Sequence, residues 1–307
     1  MVWIIIGSIL FILILAFLGY EYYVYKQVFY SPIKGQNDEL ATYAHMKGVA
    51  DLAARATELV KELMNVPSED LYVTSYDNLK LHAYFYKNTD SNEYVVYFHG
   101  FRRTARRSFA GRALELIRMN KNVILVDERA HGLSEGHKMT YGKKEQRDVL
   151  TWVNFIQDKF GKDVKITLIG ISMGATAILG VSDKIDEKIK IIADSPYMST
   201  KDVVKRALIG KKMNPKLGYL LISIASIIYC HNSIKLNVLE NIHSSKNKIL
   251  IIYGTADSLV PLSVIEAVFF NNKDHVKLEI FDGVGHGIAY NRATEQYRKT
   301  LLDFIND

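Results

Sequence analysis

The sequence predicts an α/β fold: a mostly parallel sheet of eight strands with helices on both faces, an inserted helical lid and an N-terminal transmembrane helix. Three observations carry this prediction. Strand and helix signals alternate from residue 94 to the C-terminus, which is typical of a parallel sheet covered on both faces. Residues 164–180 have the pattern of a strand, a sharp turn and a helix. Residues 2–20 are uncharged and almost wholly apolar.

The apolar segment at 2–20 is long enough, at ~1.5 Å per residue, to cross a hydrocarbon core of about 30 Å. Tyrosines at 20, 22, 23 and 25 follow it, as in the aromatic belt of a membrane interface. A cleaved signal peptide is the alternative, but no Lys or Arg precedes the segment and no clear cleavage site follows it. We therefore expect residues 1–30 to be an uncleaved, single-pass anchor in the cell membrane, with the side of the main domain left open.

Composition adds a second indication of membrane contact. The net charge of +6 suits a surface held against anionic lipid. Nucleic-acid binding is the other interpretation of a basic chain, but the sequence contains no recognised nucleic-acid motif, so we expect no nucleic-acid partner.

Cys230 is the single cysteine, which rules out an intrachain disulfide and a cysteine metal cluster. We expect no metal and no cofactor, and the oligomeric state stays open.

Two segments separate the anchor from the C-terminus. Residues 31–67 are expected to form an amphipathic linker helix, with its apolar stripe between Asn37 and Val66 and its end at Pro67. Residues 68–307 are expected to form the main domain. Its strands are predicted at 71–76, 79–86, 94–98, 122–126, at the start of the 164–180 stretch, and at 190–193, 248–253 and 276–281, with helices at 104–119, 141–160 and 294–305 between or after them.

The interval between Pro196 and Lys248 is much longer than one crossover helix requires. We interpret residues 198–247 as a lid insertion of two or three helices. Residues 218–230 are apolar nearly all round but too short to span a membrane. They predict either a helix packed tightly on the core or a lid whose inner face lines an acyl pocket.

The turn of the 164–180 stretch carries the pattern G-x-S-x-G, from Gly170 to Gly174. Its glycines permit a turn too tight for side chains, so that Ser172 is exposed at the N-terminus of the following helix. That position suits a nucleophile. The backbone N–H of Met173 then points towards the atom that Ser172 attacks and can stabilise an oxyanion.

A serine nucleophile needs a base, and the base needs an orienting carboxylate. His286 follows the last predicted strand in a glycine-rich loop, and Asp257 follows the strand before it. Asp194, after the strand at 190–193, is a rival for the acid, although Asp257 has the better motif. His99 and His131 are expected to brace loops by hydrogen bonding.

Several motifs in register resemble those of one family: His99-Gly100-Phe101, DERAHGLS at 127–134, GISMG at 170–174, GTADSLVP at 254–261 and GVGH at 283–286. From about residue 70 to its end the chain resembles the α/β-hydrolases, close to the serine aminopeptidase-like and monoacylglycerol lipase-like esterases. The resemblance implies catalysis by Ser172, Asp257 and His286, through an acyl-serine ester that water hydrolyses. It also implies an oxyanion hole formed by the N–H groups of Phe101 and Met173.

The expected function is that of a membrane-anchored serine hydrolase, most simply a carboxylesterase acting on a small-molecule acyl ester. A peptidase or a thioesterase would use the same residues, and a catalytically silent binding protein could occupy the same scaffold. The sequence predicts no substrate-binding residues and no acyl length.

Four arginines, Arg102, Arg103, Arg106 and Arg107, crowd the start of the helix that follows the His99-Gly100-Phe101 motif. Cations at a helix N-terminus oppose the helix dipole, so this cluster needs an explanation. The arginines either pair with nearby acidic residues or lipid phosphates, or one of them binds an anionic group of the substrate.

Overall fold

The computed structural model describes residues 1–31 and 50–307. Eight strands form one sheet in the order β1-β2-β4-β3-β5-β6-β7-β8. Strand β2 pairs antiparallel with both β1 and β4, and every other pairing is parallel, as the sequence predicts. The strands are β1 Glu69–Thr74, β2 Lys80–Tyr86, β3 Glu93–Phe98, β4 Asn122–Asp127, β5 Lys165–Ile171, β6 Lys190–Asp194, β7 Ile249–Gly254 and β8 Val276–Phe281.

Eleven helices lie within the described ranges. They are α1 Val2–Val28, α2 Ala50–Met64, α3 Ala105–Arg118, α4 Glu145–Phe160, α5 Met173–Leu179, α6 Thr200–Gly210, α7 Pro215–Cys230, α8 Leu239–His243, α9 Leu262–Asn271, α10 Ala289–Arg292 and α11 Thr294–Asn306. Of the predicted linker helix, Ala50–Met64 is helical, and residues 32–49 lie outside the described residues.

Alternate residues of the central strands pack on opposite faces of the sheet. Val96 and Phe98 of β3 join the core formed with α4 and α5, whereas Val95 and Tyr97 join the core formed with α3 and α11. This period of two is the geometry of an extended chain. Both faces of the sheet are therefore covered by helices. A functional site is then expected in the loops at the carboxyl edge of the sheet.

Two helices differ from the sequence-based expectation. Helix α4 begins at Glu145 rather than at Tyr141, because Tyr141 and Gly142 have positive φ angles of 52° and 85°, which no right-handed helix accommodates. Helix α9, between β7 and β8, was not predicted at all. Its residues are apolar with little amphipathic pattern, so that periodicity alone does not identify it.

The interval after β6 contains helices α6, α7 and α8. Its ends are joined by main-chain hydrogen bonds from Val238 N to Met198 O, at 3.0 Å, and from Thr200 N to Leu236 O, at 3.1 Å. Helices α6 and α7 therefore leave and re-enter the body of the fold through a narrow neck.

Helix α1 is long and apolar enough to cross a bilayer, and a signal sequence has the same properties. Residues 1–20 are exposed, whereas Glu21, Val24 and Tyr25 near its C-terminal end are buried. The hydroxyl of Tyr229 in α7 donates to the main-chain oxygen of Leu18 at 2.7 Å, and the Tyr229 ring contacts those of Tyr22 and Tyr25. The end of α1 is thus packed against the inserted helices.

The chain just after α1 is hydrogen-bonded to the folded body. Phe29 is completely buried, its oxygen accepts from Met139 N at 2.8 Å, and Ser31 N donates to His137 O at 3.1 Å. Tyr30 and Lys138 form an antiparallel bridge between these two bonds. Residues 29–31 therefore belong to the folded body.

Candidate active site

The turn between β5 and α5 holds Ser172 in an unusual backbone conformation, with φ of 53° and ψ of −109°. The residues two positions before and after it must be glycines, because the backbone packs closely there. A Cβ on Gly174 would overlap the main-chain oxygen of Phe98, and a Cβ on Gly170 would overlap the backbone of Ala175. The turn therefore projects the Ser172 hydroxyl from the carboxyl edge of the sheet, as the G-x-S-x-G pattern predicts.

Three side chains meet at this edge, from the loops after β5, β7 and β8. The Nε2 atom of His286 lies 2.8 Å from Oγ of Ser172, and its Nδ1 atom lies 2.6 Å from Oδ2 of Asp257. An ionised carboxylate can only accept, so Nδ1 carries the imidazole proton. Nε2 is then the acceptor for the proton of the serine hydroxyl, which is the protonation pattern that nucleophile activation requires.

The Asp257 carboxylate is held from its other side. Its Oδ1 atom accepts from Leu259 N at 2.8 Å and from Val260 N at 3.0 Å, and its side chain is fully buried. These bonds fix the plane of the carboxylate, and the carboxylate in turn fixes the imidazole of His286. The histidine side chain itself is 18% exposed, so the site opens to the surface.

The loop after β3 adjoins the serine. A Cβ on Gly100 would lie 3.5 Å from the Cβ of Ser172, so the main chain leading into Phe101 passes directly beside the hydroxyl. The N–H of Phe101 belongs to this loop, and that of Met173 begins α5 immediately after the serine. The two predicted oxyanion donors thus lie on the two chain segments that flank Ser172.

His99 braces this loop, as predicted. Its Nδ1 atom lies 2.9 Å from Gly100 O, and its Nε2 accepts from Glu128 N at 3.1 Å. Only the neutral ring with its proton on Nδ1 satisfies both bonds. Burial lowers the pKa of His99 and keeps the ring neutral. His131 likewise lies 3.0 Å from Arg129 O through its Nδ1 atom.

Asp194, the rival acid, points elsewhere. Its Oδ2 atom accepts from Arg112 at 3.3 Å, and its Oδ1 atom accepts from the hydroxyl of Ser195 at 3.0 Å. The Ser195 hydroxyl oxygen also accepts from Gly287 N, at 2.9 Å. Asp194 is therefore connected to the chain next to His286 but not to the imidazole, which is bonded to Asp257.

The arginines after the loop have partners that neither interpretation of the cluster included. Arg102 donates to the main-chain oxygens of Gln27 and Tyr30 at the end of α1. Arg106 donates to the hydroxyl of Tyr86 at 3.0 Å and lies over the ring of Tyr84. Sequence reasoning missed these contacts, because nothing in the pattern indicates that the end of α1 reaches the loop after β3.

A cavity of about 240 Å³ lies between α6, the loop after β6 and the loop that carries Asp257. Its walls include Tyr197, Met198, Val203, Leu259 and Val260. The Thr176 hydroxyl, one turn after Ser172, donates to the main-chain oxygen of Tyr197 at 2.9 Å. The cavity therefore adjoins the Asp257 loop, and one of its wall residues, Tyr197, is bonded to α5. The sequence predicted, as one alternative, an acyl pocket beside residues 218–230, and no residue of that stretch lines this cavity.

Comparison with known proteins agrees with this architecture. A family model described as Serine aminopeptidase, S33, of the Hydrolase_4 group, matches residues 89–235. The solved structure of the esterase Pf2001 from Pyrococcus furiosus superposes with a TM-score of 0.67 at 26% identity, covering 80% of this chain and 92% of that one. The chain has the α/β-hydrolase fold. The family model that matches it describes a group of hydrolases.

Two curated relatives extend the comparison. This α/β-hydrolase is 25% identical over 249 residues to the uncharacterized protein R595 of Acanthamoeba polyphaga mimivirus, across 77% of the chain and 81% of that protein. It is 26% identical over 192 residues to the uncharacterized protein YqkD of Bacillus subtilis strain 168, across 61% of the chain and 62% of that protein. Neither relative's name specifies a substrate.

Proposed function

We propose that this α/β-hydrolase is a membrane-anchored serine hydrolase that cleaves acyl esters through an acyl-Ser172 intermediate. One observation carries the proposal: the hydrogen-bonded series Ser172, His286 and Asp257, with distances of 2.8 and 2.6 Å. The similarity to an esterase supports an ester as the substrate class.

The reaction begins when His286 Nε2 removes the proton from Ser172 Oγ as the oxygen attacks the substrate carbonyl carbon. Negative charge develops on the carbonyl oxygen, where the N–H groups of Phe101 and Met173 stabilise it. Asp257 stabilises the imidazolium that forms. The C–O bond to the leaving alcohol then breaks as His286 donates its proton to that oxygen.

Deacylation repeats these steps with water. His286 removes a proton from a water molecule, whose oxygen attacks the acyl carbon of the Ser172 ester. The second tetrahedral intermediate collapses, the bond to Ser172 Oγ breaks, and the serine regains its proton from His286. The acid leaves, and no cofactor or metal is required by these steps. We assign the acyl chain to the cavity beside Tyr197 and Val203, since Leu259 and Val260 of the Asp257 loop form part of its wall.

A peptidase is the second candidate, because the matching family model is described as a serine aminopeptidase. The same residues also serve thioesters. A catalytically silent binding protein would retain the fold but not turn over substrate.

The membrane part of the proposal rests on α1 and α7 together. The outward face of α7 carries Leu217, Leu220 and Ile227, which are 55%, 55% and 61% exposed and lie on one helical stripe. Tyr229 in the last turn of α7 bonds to Leu18 of α1, so the helix that carries the stripe packs against the end of the apolar helix. Exposed lysines at 211, 212 and 216 precede it, as suits anionic head groups. We infer that the stripe contacts lipid and that substrate is an acyl ester within or near the bilayer.

The test uses the full chain in lipid nanodiscs, assayed with p-nitrophenyl esters of increasing chain length, aminoacyl p-nitroanilides and acyl thioesters. A Ser172→Ala variant is the control. Turnover of esters that disappears in the variant, with fluorophosphonate labelling of the wild type alone, is the expected result. Labelling with turnover only of an anilide or thioester would reassign the substrate class. Neither labelling nor turnover would indicate the silent binding protein.

A further inference from the structure

We propose that Arg102 is a positioning residue. It connects the C-terminal end of the apolar helix α1 to the loop after β3, which carries the predicted oxyanion donor Phe101. The inference rests on the proposed function, because it concerns how the Phe101 N–H is held during attack by Ser172. It adds a role for residues 27–30 that neither the motifs nor the comparisons assign.

The guanidinium group of Arg102 binds the C-terminal end of α1. Its Nη2 atom donates to the main-chain oxygens of Gln27, at 2.8 Å, and Tyr30, at 3.1 Å. The last carbonyls of a helix have no partner within the helix, and a cation there is favoured by the helix dipole. Arg102 therefore caps α1, although it belongs to the loop after β3.

The backbone of Arg102 is itself constrained. Its φ angle is 50°, in the left-handed region that a residue with a side chain occupies at a cost. Such a conformation persists where surrounding contacts impose it, and the hydrogen bonds to the carbonyls of Gln27 and Tyr30 are such contacts. Because Arg102 directly follows Phe101, the cap constrains the chain segment that carries the oxyanion donor.

An aromatic contact connects the same two segments a second time. The ring of Phe101 stacks on that of Tyr141, with centroids 5.0 Å apart and an interplanar angle of 26°. Tyr141 meets Phe29 edge to face, with centroids 5.9 Å apart. The Tyr141 hydroxyl also donates to Val28 O, at 3.4 Å. The end of α1 thus supports both the side chain of Phe101 and the main chain beside it.

This arrangement predicts a particular kinetic defect. An oxyanion donor contributes mainly in the transition state, so a loosened Phe101 N–H lowers kcat while substrate binding is nearly unchanged. A merely structural arginine would instead lower the amount of folded protein and leave the kinetic constants of the folded fraction unaltered.

The experiment compares full-length variants in nanodiscs. Arg102→Gln removes the charge and the fork of donors, Arg102→Lys keeps a cation that can cap one carbonyl, and Arg102→Gly relaxes the left-handed backbone but removes the cap. Arg118→Gln, an exposed arginine at the other end of α3, is the matched control. For each we measure kcat, KM, and inhibition by a trifluoromethyl ketone, which forms an oxyanion on Ser172.

We expect Arg102→Gln to lower kcat about tenfold or more, with KM within about twofold of wild type. The inhibition constant of the ketone should rise by the same factor by which kcat/KM falls. Arg102→Lys should recover most of the loss, whereas Arg102→Gly should not, and Arg118→Gln should behave as wild type. Wild-type kinetics for Arg102→Gln, or full activity for Arg102→Gly, would overturn the inference.

A second variant guards against a folding defect. Phe29→Leu removes the edge-to-face contact with Tyr141 while keeping an apolar side chain in the same buried site. We expect this variant to lower kcat as well. In the double variant with Arg102→Gln, kcat should fall by less than the product of the two single fold-changes, because both substitutions act on one loop. Full additivity would contradict a shared loop. If wild type fails to label with fluorophosphonate, the proposed function fails instead, so the two failures are distinguishable.

Discussion

Asp194 and Arg112 form an ion pair beneath the site, with 3.3 Å between their nearest atoms and both side chains almost fully buried. A buried pair of this kind is costly to break from one side, because the remaining charge is left without a partner in a medium of low dielectric constant. The pair explains why Asp194 follows a central strand without acting on His286. Its carboxylate is occupied by Arg112 and Ser195.

Separate substitutions of the two candidate acids should therefore have opposite signatures. Asp257→Asn should lower kcat by about 10⁴-fold with little change in melting temperature, because the imidazole loses its orienting carboxylate. Asp194→Asn should keep most of kcat. It should lower the free energy of unfolding by about 3 kcal/mol, because Arg112 is left buried without a charged partner. Ester kinetics and thermal melting on the same samples provide the check. The reverse pattern would make Asp194 the catalytic acid.

His99 should make stability depend on pH. Burial lowers its pKa in the folded state below the unfolded value of 6.5, so the unfolded state binds more protons when the pH falls through that value. The stabilising contribution of neutral His99 is thus present above about pH 6.5 and is lost at lower pH, by at most about 1.4 kcal/mol per pH unit. Melting temperatures of wild type and His99→Gln between pH 5 and 8 should converge as the pH decreases, and a constant difference would contradict this.

The apolar stripe of α7 should lie in lipid. Cysteine placed singly at Leu217, Leu220 or Ile227 and labelled with a nitrobenzoxadiazole dye should be quenched by nitroxide-bearing phospholipids in nanodiscs. Lys188→Cys, at an exposed turn remote from α7 in the chain, is the control and should respond to aqueous iodide instead. Native Cys230 is buried and can be changed to Ser in every sample. Equal iodide quenching at all four positions would place the stripe in water.

The cavity beside α6 should set the acyl length. Val203 lines it, so Val203→Phe should reduce its volume and shift the preferred p-nitrophenyl ester towards shorter chains. Ile280→Phe, on an exposed position of β8, adds the same side chain elsewhere and serves as the control. An unchanged chain-length profile in a folded Val203→Phe protein would mean that the acyl chain binds at another place.

The sheet and the Ser172 cluster could be predicted from sequence because each depends on local pattern. Apolar runs identify the strands, and the glycines at 170 and 174 leave few conformations for the turn between them. Parallel strands bring their carboxyl ends to one edge, so the loops bearing Asp257 and His286 were expected to meet there.

The contacts of Arg102 could not be predicted, because they join segments far apart in the chain and go to main-chain oxygens. Any residue offers such an oxygen, so no side-chain pattern distinguishes Gln27 or Tyr30 as a partner. The late start of α4 has the same origin. The left-handed conformation of Tyr141 is favoured by tertiary contacts and not by its own propensity.

The bridge between Tyr30 and Lys138 has a mechanical consequence. A catalytic domain joined to its anchor by a free tether would tumble above the bilayer and present its entrance in every direction. Here the backbone that leaves α1 is hydrogen-bonded into the body at once, so rotation about the junction is restricted. With α1 in a bilayer, as proposed, the tilt of this helix would set the direction in which the entrance faces. A change in bilayer thickness would then alter which molecules reach Ser172 without altering any residue around it.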